Sequence, residues 1–138
     1  MVFVHKTAVI GSNVVMGSNV SIGPYTVIDD NVKIANDNVI KSSVYITGNT
    51  DIGNANIFYP FCSIGSPPQD LKFKNEVTNL IIGSNNIFRE HTTVNVGTKG
   101  GGGTTKVGDN SLFMIGVHIA HDCIVKNNIV MANQATIA

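Results

Sequence analysis

The stretch Met114-Ile115-Gly116-Val117-His118-Ile119-Ala120-His121-Asp122-Cys123 carries the side chains of this 138-residue chain best suited to chemistry. An imidazole titrates near neutral pH and can take a proton from a hydroxyl as that hydroxyl attacks an acyl carbonyl. A carboxylate beside the ring fixes its tautomer and steadies the imidazolium. His121 followed by Asp122 supplies that pair, and His118 stands just before it. Metal binding is the rival chemistry, and it normally recruits three or four ligands. Only His118 and His121 are close in the chain. His5 and His91 lie far upstream, so no metal site is expected.

Two other stretches stand out. Ser66-Pro67-Pro68-Gln69-Asp70-Leu71-Lys72 places an acid and a base two residues apart. Gly97-Thr98-Lys99-Gly100-Gly101-Gly102-Gly103-Thr104 invites a phosphate-loop reading, but no Gly-Lys-Ser or Gly-Lys-Thr follows and no helix is predicted after it. A mobile flap over a neighbouring site is the better expectation for the glycines. Cys62 and Cys123 are far apart and form neither a disulfide framework nor a zinc site. Both fall at inward repeat positions, so buried, inert thiols are expected.

The elements that must hold these groups follow from a six-residue count. Val4, Ile10, Met16, Ile22, Ile28, Ile34, Ile40, Ile46, Ile52, Phe58 and Ile64 form an unbroken apolar series. The count resumes at Ile82, Phe88 and Val94, and again at Val107, Phe113, Ile119, Val125, Met131 and Ile137. Two residues before many of these sits a second, mostly smaller inward side chain, as at Ala8, Val20, Thr26, Val44, Thr50 and Cys62. Turn formers such as Ser12-Asn13, Ser18-Asn19 and Asp30-Asn31 follow, and Asn tolerates left-handed backbone angles. A strict six does not fit the 3.6-residue helical period, and β-branched residues dominate. Each hexapeptide is therefore a short strand plus a corner, and three close one triangular coil. The stack is predicted to rise roughly 30 Å at the usual strand spacing. The breaks become external loops at residues 66–80 and 97–105 of a single domain spanning residues 1–138. His118 and His121 face outward by register, and His121-Asp122 takes a corner where other coils carry Ser-Asn or Asn-Asn.

Bulk properties exclude several functions. Charged residues make up 13% of the chain and the formal net charge is zero, so no nucleic-acid partner is indicated. No apolar run reaches the roughly 20 residues of a membrane span, and no signal peptide opens the chain. A soluble, cytoplasmic protein is expected.

The three stretches resemble, in order and spacing, the hexapeptide-repeat acyltransferases that begin lipid A synthesis. The matching runs are Ile64-Gly65 through Gln69-Asp70-Leu71-Lys72, then Gly97-Thr98 through Lys106-Val107-Gly108, then His118-Ile119-Ala120-His121-Asp122-Cys123. The resemblance implies an all-β, left-handed parallel β-helix that assembles as a homotrimer. It implies transfer of a 3-hydroxyacyl chain from acyl carrier protein to the glucosamine 3-hydroxyl of UDP-N-acetylglucosamine, with no cofactor. By the same resemblance His121 is the general base, Asp122 its orienting partner, and His118, Asp70 and Lys72 substrate contacts. Val96 stands where the family commonly has Arg, and Gly116-Val117 replaces the more usual Asn-Ala. The family continues into further coils and a C-terminal helical domain, so an incomplete β-helix without that domain is expected here. The alternatives are a non-catalytic fragment of the same enzyme and a related N-acyltransferase. Asp122 favours the O-acyltransferase, since the second usually shows Asn after its equivalent His.

Overall fold

The computed structural model describes residues 1–138 as strands and turns, without a helix. The strands are two to four residues long and form three wholly parallel sheets of seven, seven and six. The first sheet takes Phe3–Val4, Ser21–Ile22, Val39–Ile40, Ile57–Phe58, Ile87–Phe88, Leu112–Phe113 and Val130–Met131 in that order. The second runs from Val9–Ile10 to Thr136–Ile137, and the third from Val15–Met16 to Ile124–Val125. Every third hexapeptide thus lands on the same sheet, one coil further along. The fold is the expected left-handed parallel β-helix.

Register explains the core. Pairs such as Ile22↔Ile40, Ile40↔Phe58 and Phe58↔Phe88 put each large residue on its counterpart in the next coil. Phe58, Phe88 and Phe113 are fully buried, with ring centroids 4.8 and 4.9 Å apart. That separation equals the distance between neighbouring strands, so the backbone ladder itself sets the stacking. Val4, Ile10, Met16 and Ile137 point inward but belong to the end coils, where a neighbour covers only one side, and they stay partly exposed.

The smaller inward position holds a polar surprise. Asn38, Asn56 and Asn86 are completely buried in the prism. Each Nδ2 donates to a backbone carbonyl one coil on: Asn38 to Gly53, Asn56 to Gly83 and Asn86 to Gly108. Each Oδ1 accepts the backbone N–H of the residue above it, at Asn56, Asn86 and Ser111. The column is satisfied throughout, so its burial costs little.

Corners adopt positive φ as anticipated for Asn, at Asn19, Asn31, Asn85, Asn110 and Asn128. They do so equally at Tyr25, Ala55, Phe61, His91 and Asp122. Coil closure therefore dictates the backbone angle and overrides residue preference. The two thiols differ. Cys62 is buried, and burial pushes its thiol up to about 12. Cys123 points at the core but is only half-buried, contrary to expectation, because it sits one coil from the end.

Candidate active site

Three consecutive crossings from the second sheet to the third build the site. They join Ser63–Ser66 to Asn79–Ile82, Thr93–Asn95 to Thr104–Val107, and His118–Ile119 to Ile124–Val125. These strands pair as direct neighbours, so the first loop, the glycine run and the His121-Asp122 corner stack along one edge of the prism. Residues as far apart as Asp70 and Asp122 meet because the repeat returns them to the same edge.

They enclose a cleft of about 750 Å³ lined by Asp70, Lys72, Phe73, Lys74, Glu76, residues 98–101, His121 and Asp122. Of the residues singled out from sequence, Asp70, Lys72, His121 and Asp122 meet there. His118 does not line it. It lies on the outer face of the second sheet, half-buried, with Nδ1 2.7 Å from Thr93 Oγ1.

His121 Nδ1 lies 2.8 Å from Asp122 Oδ2. A carboxylate oxygen only accepts, so Nδ1 carries the proton and the neutral ring keeps a free lone pair on Nε2. The imidazole is about one third exposed and the carboxyl 12% exposed. Asp122 Oδ1 also accepts the Thr98 backbone N–H at 2.8 Å, and Oδ2 accepts the Thr98 hydroxyl at 2.5 Å. Burial pushes the Asp122 carboxyl up, but these hydrogen bonds and that from His121 outweigh it and hold the group below the usual carboxylate range. The hydrogen bonds hold Asp122 as a carboxylate and leave His121 Nε2 on the side of the ring away from it.

Asp70 accepts the Lys72 backbone N–H at 2.9 Å, and the Lys72 ammonium stands 3.2 Å away. The Lys72 backbone first, and then its side chain, hold the Asp70 carboxyl below its ordinary value. Asp70 is 17% exposed and Lys72 90%, so the acid is fixed and the base is free to swing. Lys74 and Lys99 add two further cations to the lining.

The glycine run lies beside the cleft, as expected of it. Gly101 and Gly103 donate backbone N–H groups to the Thr98 carbonyl, at 3.2 and 2.7 Å, and Asn79 N–H reaches the Gly103 carbonyl at 2.8 Å. It is a hydrogen-bonded turn folded against Asp122. A second groove, about 490 Å³, lies on the far side of the first loop among Asp29, Thr47, Thr78 and Val96. Val96 is 5% exposed and belongs to the core cluster, so it offers no polar group to that groove.

No helix is long and apolar enough to cross a membrane. No family model matches the chain. It is 54% identical over 121 residues to an acyl-(acyl-carrier-protein)–UDP-N-acetylglucosamine O-acyltransferase of Rickettsia bellii (strain OSU 85-389), covering 87% of this chain and 43% of the relative. A relative of the same name from Thermodesulfovibrio yellowstonii is 45% identical over 135 residues, 98% of this chain and 52% of the other. Among solved structures, a UDP-N-acetylglucosamine acyltransferase from Bacteroides fragilis superposes with a TM-score of 0.96 at 41% identity, over 99% of this chain and 53% of that one. The chain spans about half the length of these relatives.

Proposed function

From the premise that this chain is homologous to the UDP-N-acetylglucosamine O-acyltransferases, we propose that its cleft moves a 3-hydroxyacyl chain from acyl carrier protein to the 3-hydroxyl of UDP-N-acetylglucosamine. This is the first step of lipid A biosynthesis. The observation that carries the reading is the His121–Asp122 pair, with Nδ1 tied to the carboxylate and Nε2 directed away from it. Nε2 removes the proton of the sugar hydroxyl as its oxygen attacks the thioester carbonyl, and Asp122 stabilises the imidazolium that forms. When the tetrahedral intermediate collapses, the same imidazolium returns the proton to the departing thiolate. Lys72, Lys74 and Lys99 supply cations for the pyrophosphate of the sugar nucleotide, and Asp70 keeps the exposed Lys72 ammonium near the cleft without immobilising it. His118 contacts substrate from the adjoining face.

We place the active form as a homotrimer in the cytoplasm. The outer face of the first sheet supports assembly. Phe3, Val39, Ile57, Ile87, Leu112 and Val130 form a column interrupted only by Ser21, and Phe3 and Val130 are well exposed. An apolar face of that length on a single prism fits an interface between copies. Two free cysteines suit a reducing compartment.

The test is acyl-carrier-protein-dependent acylation of UDP-N-acetylglucosamine by a protein carrying this site, compared with its His121→Ala variant. Loss of the base lowers turnover by about 10²–10⁴-fold. Asp122→Asn costs less, and Cys62→Ser leaves turnover intact. Near-normal acylation by His121→Ala overturns the assignment.

A further inference from the structure

We propose that Thr98, presented by the glycine turn, is a positioning residue: it clamps the Asp122 carboxylate in the one orientation that lets His121 offer Nε2 to substrate. The inference rests on the reading of His121 as the base.

A carboxylate next in sequence to its histidine has no inherent reason to face it. Asp122 occupies a corner with positive φ, and its backbone N–H is anchored to Thr105 Oγ1 at 2.8 Å. The side chain can still rotate. Thr98 removes that freedom by binding both oxygens, Oδ1 through its N–H and Oδ2 through its hydroxyl. The hydroxyl has a defined direction. It receives the Gly101 N–H at 3.1 Å and gives its own proton to Asp122. Oδ2 then accepts from Thr98 on one side and from His121 on the other, so fixing the carboxylate fixes the ring.

The glycines make room for this clamp. A Cβ on Gly101 would overlap the Asp122 carboxylate, and one on Gly97 would come within 2.8 Å of Oδ1 and collide with the Thr104 backbone. Close approach to Asp122 is thus what Gly97 and Gly101 provide. Thr98 is 7% exposed, so it acts through Asp122 and not on the substrate.

Thr98→Val keeps the shape and deletes the hydroxyl, whereas Thr98→Ser keeps the hydroxyl. The first readout is the imidazole ¹⁵N spectrum of His121. Wild type and Thr98→Ser show the Nδ1–H neutral tautomer, and Thr98→Val loses that signature. The second readout is steady-state acyl transfer. Thr98→Val lowers kcat by about tenfold to a hundredfold, the scale of a reacting group misplaced by about 1 Å, with KM within about twofold, and Thr98→Ser restores it. Gly101→Ala displaces the carboxylate from the other side and gives the same loss of signature if Thr98→Val fails to fold. A folded Thr98→Val or Gly101→Ala protein with the wild-type tautomer and kcat overturns the proposal. Absence of acyl transfer by wild type defeats the functional reading, and the imidazole signature then decides the clamp by itself.

Discussion

Asp122 accepts three hydrogen bonds on two oxygens while only 12% exposed. Its carboxyl is held low, so the stability it lends is fully present above the unfolded value near 4 and is lost as pH falls through the lowered folded value. Wild type should therefore exceed Asp122→Asn in denaturant stability at pH 7, with the gap closing as the pH falls below the ordinary carboxylate range. A gap constant across that range would show that the charge contributes nothing. The His121–Asp122 pairing was legible in the sequence, because the residues are adjacent and share a corner where imidazole has no structural purpose. Thr98 was not legible as their partner. It lies 24 residues upstream of Asp122, and only the turn geometry of the glycine run brings it there. Nor did the sequence separate His118 from the cleft, since its outward register places it equally well on the flat face where the structure has it.

Strands of two residues have almost no stability of their own, and the coil-to-coil columns supply what they lack. The large apolar column was legible because six-residue spacing survives both loops when each segment is counted afresh. The Asn column was not, since a buried amide looks like an error until its partners are known. Asn56 is the middle rung. Its Nδ2 serves the Gly83 carbonyl at 3.0 Å, and its Oδ1 serves the Asn86 N–H at 3.0 Å. Asn56→Leu is nearly the same size but strands both groups. At about 1–3 kcal/mol for each buried group left unpaired, the variant should lose about 2–6 kcal/mol in urea unfolding. A loss below about 0.5 kcal/mol would mean that water or the backbone satisfies them instead. The corners carry a similar lesson. Tyr25, Phe61 and His91 adopt positive φ against their own preference. Local propensity could not have placed them there, because ladder pairing on both flanks imposes the angle.

At the scale of the whole prism, one face is apolar and one edge carries the cleft. If the apolar column on the first sheet joins copies, then Ile87→Glu, in its middle, should convert the assembly to monomers in sedimentation velocity while leaving the β-rich circular dichroism unchanged. A trimer that survives Ile87→Glu would move the interface to another face. The six-residue count predicted that face only in part, because it marks which residues point in and is silent on what covers those pointing out. The cleft edge raises a question of chain entropy. Most coils close on the one below after 18 residues, whereas those bearing the ejected loops close after 30 and 25. Closure entropy grows only with the logarithm of length. The longer coil costs about 0.5 kcal/mol more than an ordinary one and the other about 0.3 kcal/mol. Lengthening these two corners therefore opposes folding by less than about 1 kcal/mol in closure, well inside the margin by which domains of this size stay folded. Chemistry at this edge can be enlarged, shortened or exchanged loop by loop while every rung of the ladder keeps its partner.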